Sequence, residues 1–383
     1  MSSEPGKLRR YLSIGLAAVL VVAVAVGIFV AAGGKDKTPA KAATVVQGLS
    51  GSEKIPYFTD PAVVRRLAQL GFKVDVESAG SREIATKYDL SKEDFVFPAG
   101  VPAALQVRQT HKDFAPHTTF FTPMAIATFK PIAELLVKAG VASKKDGYYT
   151  LDVRRYLQMV RDGTRWTDLP GNKDYPVDKS VLITSTDVRS SNSAAMYLSL
   201  ASFVANGDAV VEGRAAAAKV LPVMKELFLK QGFVASSSDE PFQDYLSIGV
   251  GKSPLVMIYE AQFVDRAARR DGSIRPEMVL MYPRPTVLSK HTFVPLTAAG
   301  ERLGQALTTD AVLQDLAVRH GFRTAKPGAF QEFTRKNGVA VKNDIIDAVD
   351  PPSFEILEYM IEAIARSYSQ QSSGAEPSSS PTP

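Results

Sequence analysis

Cysteine is absent from all 383 residues of the chain. This absence excludes disulfide bonds, thiolate metal sites, cysteine nucleophiles and attachment to a membrane through a lipidated cysteine. Histidine is scarce, and the four histidines show no H-x3-H spacing, so the sequence does not suggest a histidine-rich metal site. The 45 Lys and Arg exceed the 40 Asp and Glu by only five charges, too few for a nucleic-acid-binding surface unless they cluster. We therefore expect no metal site, no cofactor and no nucleic-acid partner.

Motifs of the common catalytic sites are also missing. The sequence has no G-x-x-x-x-G-K-[ST] loop, no G-x-G-x-x-G after the first predicted strand, no G-x-S-x-G turn and no H-E-x-x-H zinc motif. His320 stands at a predicted helix end, where it would complement the helix dipole, and His111 and His117 flank a predicted loop. We predict that the chain is not an enzyme and keep catalysis as the third hypothesis.

Residues 12–32 form an apolar run of 21 residues without a charge. A helix of this length extends about 31 Å, which is enough to cross the hydrocarbon core of a bilayer. A cleaved signal peptide is the alternative, because Ala40-Lys41-Ala42 resembles a cleavage site. Signal peptides, however, have apolar regions of only about 7–15 residues. We predict an uncleaved transmembrane anchor over residues 12–32.

The charges beside this run bear on its orientation. Three basic residues precede the run and three follow it, so the count alone is a tie. The preceding set lies closer to the run, which favours a cytoplasmic N-terminus over residues 1–11. The body would then lie on the outer side of the cell membrane as a single-pass protein, behind a polar linker over residues 33–43. Residues 369–383 contain six Ser and three Pro and are predicted to form a disordered tail.

Strand and helix patterns alternate through the body. A predicted strand at 44–49, a helix beginning at Pro61 after Asp60, and a strand at 72–78 make a β–α–β unit with parallel strands. Further strands are predicted at 95–98, 105–107, 118–126, 181–184, 254–259 and 278–282, and helices at 130–139, 151–161, 194–204, 215–230, 297–307, 310–320 and 353–367. This alternation predicts an α/β protein with two lobes.

Small hydroxyl residues follow three of these strands. In open α/β sheets, ligands bind beyond the carboxyl ends of strands, where helix N-termini and backbone N–H groups converge. The candidate ligand-binding residues are Ser50, Ser52, Ser78, Ser81, Thr186, Ser190, Ser191 and Asn192, joined by Tyr259 and Glu260 at the end of another apolar strand. The alternative is that these residues are ordinary helix caps, and Glu260 fits a cap as well as it fits a ligand contact.

Several of these segments, taken in order, resemble one protein family. They are GLSGS at 48–52, VDVESAGS at 74–81, the turn and helix at 186–200, PLVMIYE at 254–260, the run at 279–287 and GFR at 321–323. Over most of residues 44–368 the chain is similar to bacterial extracellular solute-binding proteins with the type II periplasmic-binding-protein fold. Its anchored, cysteine-free form resembles those of high-GC Gram-positive bacteria.

The resemblance implies a bilobal α/β fold behind one N-terminal transmembrane helix, with a ligand held between the lobes by hinge closure. Lobe I would comprise residues 44–125 and 283–368, and lobe II residues 126–282. Ser52, Ser78 and Ser81 would face the cleft from lobe I. Lobe II would contribute Thr186, Ser191, Asn192 and Glu260.

The implied function is capture of a small polar or anionic solute for an ABC-type permease. Phosphate itself is disfavoured, because the lobe II helix begins with Ser-Ser-Asn-Ser-Ala where phosphate binders carry Ser-Gly-Thr, and Glu260 would repel a multiply charged anion. The alternative is a membrane-tethered sensory or interaction protein that uses the same fold without transport, since fold does not fix function.

Overall fold

The structure is a computed structural model that describes residues 43–145, 147–231 and 235–373. The predicted cytoplasmic N-terminus, the transmembrane anchor and nearly all of the linker lie outside these ranges, so they remain predictions. Within the ranges, no helix has both the length and the apolar character that crossing a membrane requires. The last described helix runs to Ser373 and therefore includes the first five residues of the predicted tail.

The strands of the described residues form a mixed sheet. They are β1 Thr44–Ser50, β2 Phe72–Ser78, β3 Phe95–Phe97, β4 His117–Phe129, β5 Ala142–Lys145, β6 Tyr148–Asp152, β7 Leu255–Tyr259, β8 Met278–Arg284, β9 Thr286–Pro295 and β10 Ala348–Val349. Their order is β2-β1-β3-β9-β4-β8-β6-β5, with β7 also paired to β4 and β10 to β9. β1 pairs with β2 in parallel, which confirms the predicted β–α–β unit.

Helices cover the sheet. They are α1 Ile55–Thr59, α2 Pro61–Gln69, α3 Ser81–Thr86, α4 Val101–Thr110, α5 Lys130–Lys138, α6 Val153–Arg161, α7 Asn192–Ala205, α8 Gly213–Leu229, α9 Asp239–Ser247, α10 Glu260–Arg269, α11 Ala298–Thr309, α12 Ala311–Arg319, α13 Ala329–Asn337 and α14 Phe354–Ser373. A 3-10 turn over Ser52–Lys54 leads into α1. The mixture of sheet and covering helices confirms the predicted α/β class.

Helix α2 shows how the sequence sets these elements. The Asp60 carboxylate accepts hydrogen bonds from the backbone N–H groups of Ala62 at 2.6 Å and Val63 at 3.4 Å. Pro61 occupies the first helical position, where its fixed φ suits the helix and its missing N–H costs nothing. Val63 and Leu67, one turn apart, are buried in the core. The predicted cap at Asp60 is therefore confirmed.

Strands β4 and β9 connect two parts of the core. Residues 117–123 of β4 pair with β9, whereas residues 124–128 pair with β7 and residues 126–129 with β8 on the other part of the sheet. Phe120 of β4 and Phe293 of β9 pack into a buried cluster with α1, α2, α11 and α12. Met124 and Val287 of the same two strands pack into a separate cluster with α5 to α8. These two strands therefore run through both parts of the core.

The C-terminal helix α14 belongs to the second of these clusters. Its Leu357, Met360 and Ile364 are buried with the apolar side chains of α7 and α8. The resemblance assigned this segment to the second part of lobe I, residues 283–368. The lobe boundaries remain a prediction, but the apolar packing groups α14 with helices of the predicted lobe II.

The predicted strand at 105–107 is wrong, because these residues lie inside helix α4. The residue before this helix, Gly100, is extended, and Pro102 stands in its first turn, both typical of a helix start. Ala103 and Val107 then bury one face of the helix. The β-branched and apolar side chains around 105–107 suggested a strand, but packing on one helical face decides the conformation.

Two other predicted elements have different bounds. The helix predicted over 151–161 begins at Val153, because residues up to Asp152 form β6 and the Asp152 carboxylate caps the helix by accepting from the Arg155 N–H at 3.0 Å. The strand predicted over 181–184 is not a regular strand in the described structure. Only an isolated bridge from Thr184 to β7 forms there.

Candidate functional site

A small cavity of about 190 Å³ lies where several chain segments meet. The segments are the turn after β1, the turn between β2 and α3, the loop before α7, the loop before α9 and the end of β7. Eight serines line it, namely Ser52, Ser78, Ser81, Ser190, Ser191, Ser236, Ser237 and Ser238. Further walls come from Glu53, Glu83, Tyr88, Asn192 and Tyr259, with Gly51, Ala79 and Gly80 between them. The cavity is therefore lined mainly by hydroxyl groups.

Seven of the ten candidate residues meet at this cavity. They are Ser52, Ser78, Ser81, Ser190, Ser191, Asn192 and Tyr259. They come from three stretches of the chain, residues 52–81, 190–192 and 259. The parallel strands β1 and β2 end at the same edge of the sheet, which brings Ser52, Ser78 and Ser81 together. The remaining three candidates, Ser50, Thr186 and Glu260, do not line the cavity.

Ser50 and Thr186 have internal partners. Ser50 is fully buried and its hydroxyl donates to the carbonyl of Gly51 at 3.4 Å. The Thr186 hydroxyl is 2.7 Å from the Ser193 hydroxyl, which in turn lies 2.9 Å from that of Ser191. This chain of hydroxyls connects the loop before α7 to the first turn of the helix. In the structure these two side chains support the cavity wall rather than face the cavity.

Glu260 lies in a buried ion pair away from the cavity. Its carboxylate accepts from the Arg323 guanidinium at 2.7 Å and 2.9 Å, and from the Tyr282 hydroxyl. Burial, followed by the neighbouring carboxylate, raises the pKa of Tyr282 well above its usual value. The guanidinium also donates to the carbonyls of Lys342 and Asn343. The expected repulsion of anions by Glu260 therefore does not act on this cavity.

Close backbone contacts shape the cavity wall. Ser81 is 3 % exposed, and its hydroxyl accepts from the Ala99 N–H at 3.0 Å, which fixes the start of α3. A Cβ atom at Gly80 would lie 2.5 Å from the Ser190 carbonyl oxygen. The turn after β2 and the loop before α7 therefore approach more closely than any side chain at position 80 would allow. Asn192 at the start of α7 donates to the Tyr259 hydroxyl at 3.1 Å.

Direct contacts also join the two sides of the cavity. The hydroxyls of Ser52 and Ser237 lie 3.0 Å apart. Arg82, directly after Ser81, donates to the carbonyl of Arg189 at 2.9 Å and pairs with Glu358 of α14 at 2.7 Å. One guanidinium therefore connects α3, the loop before α7 and the C-terminal helix.

A buried charge cluster stands behind one wall. The Glu53 carboxylate, 5 % exposed, pairs with the ammonium of Lys54, which is fully buried, and lies 3.4 Å from Nδ1 of His291 on β9. Burial opposes ionisation of Glu53, but Lys54 and His291 outweigh it and hold its carboxyl pKa well below the usual range. Burial lowers the pKa of Lys54 as well. Burial and the Lys54 charge lower the pKa of His291 to about 4.

Sequence reasoning missed this cluster and the Ser236–Ser238 wall. The three serines follow no predicted strand, so the rule of strand ends did not select them. Glu53 and Lys54 stand beside the selected Ser52, but His291 lies more than 230 residues away in the chain. A run of three serines before an acidic helix start was the one available signal.

A wider groove of about 870 Å³ adjoins the cavity. The two share Ser52, Glu53, Ser78 and Ser237 as walls. In the groove, His320 lies between two carboxylates, 3.3 Å from Asp60 and 3.2 Å from Asp265. Across residues 43–145, 147–231 and 235–373, no group of three or more acidic or histidine side chains is arranged to hold a metal ion.

No protein-family model matches the chain. No curated protein matches it either. Several solved structures match the chain. A periplasmic thiamin binding protein matches with a TM-score of 0.50 at 11% identity, over 85% of this chain and 96% of its own. The chain has the fold of periplasmic binding proteins. The periplasmic binding protein P5PA gives the same TM-score at 12% identity, over 85% of this chain and 98% of its own.

A further match is the sulfate-binding protein SubI from Mycobacterium tuberculosis H37Rv. It has a TM-score of 0.49 at 14% identity, over 76% of this chain and 91% of its own. At such low identities the likeness shows the fold and does not identify a ligand. The predicted α/β, periplasmic-binding-protein-like fold is confirmed for the described residues.

Proposed function

We propose that the chain is an extracytoplasmic solute-binding protein that holds a small polar solute in the serine-lined cavity. In this proposal, residues 12–32 anchor it in the cell membrane and an ABC-type permease receives the solute. The observation that carries the proposal is the convergence of four serine-bearing segments, distant in the chain, on one cavity. Structures with the same fold are named as binding proteins, which agrees with a role without catalysis.

The cavity suits a small, hydrogen-bonding solute. Each serine hydroxyl donates one hydrogen bond and accepts up to two, so the wall adapts to either kind of polar group. A volume near 190 Å³ corresponds to about six water molecules at roughly 30 Å³ each. Ligand pockets commonly measure about 300–1,000 Å³. We therefore expect a solute with few non-hydrogen atoms.

The contacts across the cavity suit capture by closure. Ser52 and Arg82 contact Ser237 and the Arg189 carbonyl from the opposite wall. Strands β4 and β9 run through both parts of the core, so a small change along them would separate the walls. Hinge motions of this kind open and close ligand sites between packed units.

Thermal unfolding of the full chain in detergent micelles, with and without solutes, tests the proposal. A solute that binds only the native state stabilises it by about 2.7 kcal/mol at a concentration 100 times its Kd. Amines, amino acids, sugars and oxyanions form the panel. Ser81→Ala and Ser191→Ala should reduce any stabilisation, whereas Ser143→Ala, on the distant strand β5, should not. If no compound stabilises the wild type at millimolar concentration, the proposal is wrong.

Co-purification from membranes tests the transport role. A permease that co-purifies with the chain, and separates from it when the cavity serines are replaced, supports delivery of a solute. Stable association with proteins that are not transporters would instead favour a tethered sensory or interaction protein.

A further inference from the structure

The charged side chains that line the cavity are all of one sign. Glu53 and Glu83 line it, whereas no lysine, arginine or histidine stands among its described wall residues. Glu83 is partly exposed and pairs with Lys87 at 3.0 Å, so solvent and a salt bridge weaken its field. Glu53 also pairs with a cation, Lys54, but it is almost completely buried, so solvent screens its field less. The charge that a solute would meet inside the cavity is therefore that of Glu53.

The two oxygens of the Glu53 carboxylate differ in their partners. Lys54 and His291 both contact Oε1. Oε2 has no hydrogen-bond partner among the described residues. It is also not fully enclosed by the protein. An ionised carboxylate has about four acceptor positions, so Oε2 retains its capacity to accept. Lys54 is fully buried and does not line the cavity, so the negative end of the pair faces it.

We propose that Glu53 Oε2 is the acceptor for a protonated amino group, and that the cavity takes a small amine-bearing solute. This inference rests on the proposed solute-binding function and specifies its ligand class. A hydrogen bond between an ammonium and a carboxylate is about twice as strong as one between neutral groups, which favours an amine over a neutral polyol. Tyr88 and Tyr259 also line the cavity, and aromatic rings attract cations.

An oxyanion fits the same position poorly. It would bring a second negative charge beside the buried Glu53 carboxylate, whose paired cation, Lys54, is not among the described wall residues. Because Lys54 and His291 keep Glu53 ionised, the site does not accept an anion by taking up a proton at ordinary pH.

Calorimetric titration of the full chain in detergent micelles tests the charge preference. The probes are ethanolamine, putrescine and glycine for amines, sulfate, phosphate and molybdate for oxyanions, and glycerol and glucose for neutral polyols. We expect at least one amine to bind at least tenfold more tightly than every oxyanion and polyol. Tighter binding of an oxyanion or a polyol overturns the inference but leaves the solute-binding function standing. Binding of no probe counts against both.

Variants of Glu53 test the acceptor. Glu53→Gln should raise the Kd of the best amine at least tenfold, and Glu53→Asp should raise it less because the charge remains. The double variant Glu53→Gln/Lys54→Met removes both charges, so it keeps the test valid if Glu53→Gln alone fails to fold. Glu301→Gln is the matched control, since that carboxylate also pairs with a histidine, His117 at 2.9 Å, but lies outside the cavity. An amine Kd within threefold of wild type in the double variant overturns the assignment.

Discussion

Replacing Glu260 by glutamine tests a buried ion pair that stands apart from the cavity. Glu260 is fully buried and Arg323 is 6 % exposed, with two nitrogen–oxygen distances of 2.7 Å and 2.9 Å between them. The variant removes the charge that offsets the guanidinium, which stays enclosed over the ring of Phe330. Removing one partner of a buried pair costs about 3–5 kcal/mol, because the other charge remains desolvated. We expect a loss of this size in the free energy of unfolding.

The assay is urea unfolding of the variant and the wild type. A lower midpoint at unchanged slope reports lost stability rather than a changed unfolded state. Glu332→Gln is the control, because its pair with Lys336 is more than half exposed on both sides, and exposed helix pairs contribute only about 0.3–0.5 kcal/mol. Glu260→Gln/Arg323→Met should recover part of the loss, since an apolar replacement leaves no unpaired charge.

Two results would refute this reasoning. A loss below about 1 kcal/mol in Glu260→Gln would mean that the pair is not desolvated as the structure describes. A weaker affinity for a solute at unchanged stability would mean that Glu260 contacts the ligand, as the sequence suggested, and does not pair with Arg323.

Three further predictions concern other parts of the site. In the folded protein the pKa of His291 is lowered to about 4, so its ring stays neutral at pH 5. In the unfolded chain the same ring binds a proton below about pH 6.5. The free energy of unfolding should therefore fall by about 2 kcal/mol from pH 6.5 to 5. In His291→Phe, urea unfolding across that range should lose this slope, and an unchanged slope would contradict the assignment. Asp60→Ala should cost about 1 kcal/mol in thermal unfolding through loss of the α2 cap, and no loss would show that the cap is dispensable. Glu358→Gln should lower the free energy of unfolding by about 1 kcal/mol or less, because Arg82 loses its ion pair. The same variant should bind a solute more weakly. Unchanged affinity would mean that α14 does not help to hold the cavity walls together.

Much of the fold followed from local patterns in the sequence. The cap at Asp60, the alternation of β2 and the apolar run of β7 each act within a few residues, so periodicity and cap chemistry predicted them. The strand predicted at 105–107 failed because its conformation depends on packing against a sheet that is distant in sequence. Helices α3 and α10 were not given bounds from the sequence. They begin directly at strand ends, where the turn residues were left open between helix caps and ligand contacts.

Part of the candidate site also followed from local patterns in the sequence. Serines at the ends of β1 and β2 converge because parallel strands end at one edge of the sheet, and this rule needs no knowledge of the rest of the fold. The fate of Glu260 depends on Arg323, 63 residues further along, and that of Glu53 depends on His291. Such long-range partners decide whether a carboxylate is a structural ion or an available acceptor. A single sequence does not reveal them.

The contact between Ser52 and Ser237 has a consequence for the rate of exchange. These two side chains border both the cavity and the groove, and their hydroxyls touch at 3.0 Å. If this contact closes the passage between the cavity and the groove, a solute enters or leaves by that passage only while the hydroxyls are apart. At high solute concentration the observed association rate should therefore level off at the rate at which the walls separate. The protein's own motion, and not the strength of its bonds to the solute, would then limit the rate of solute exchange.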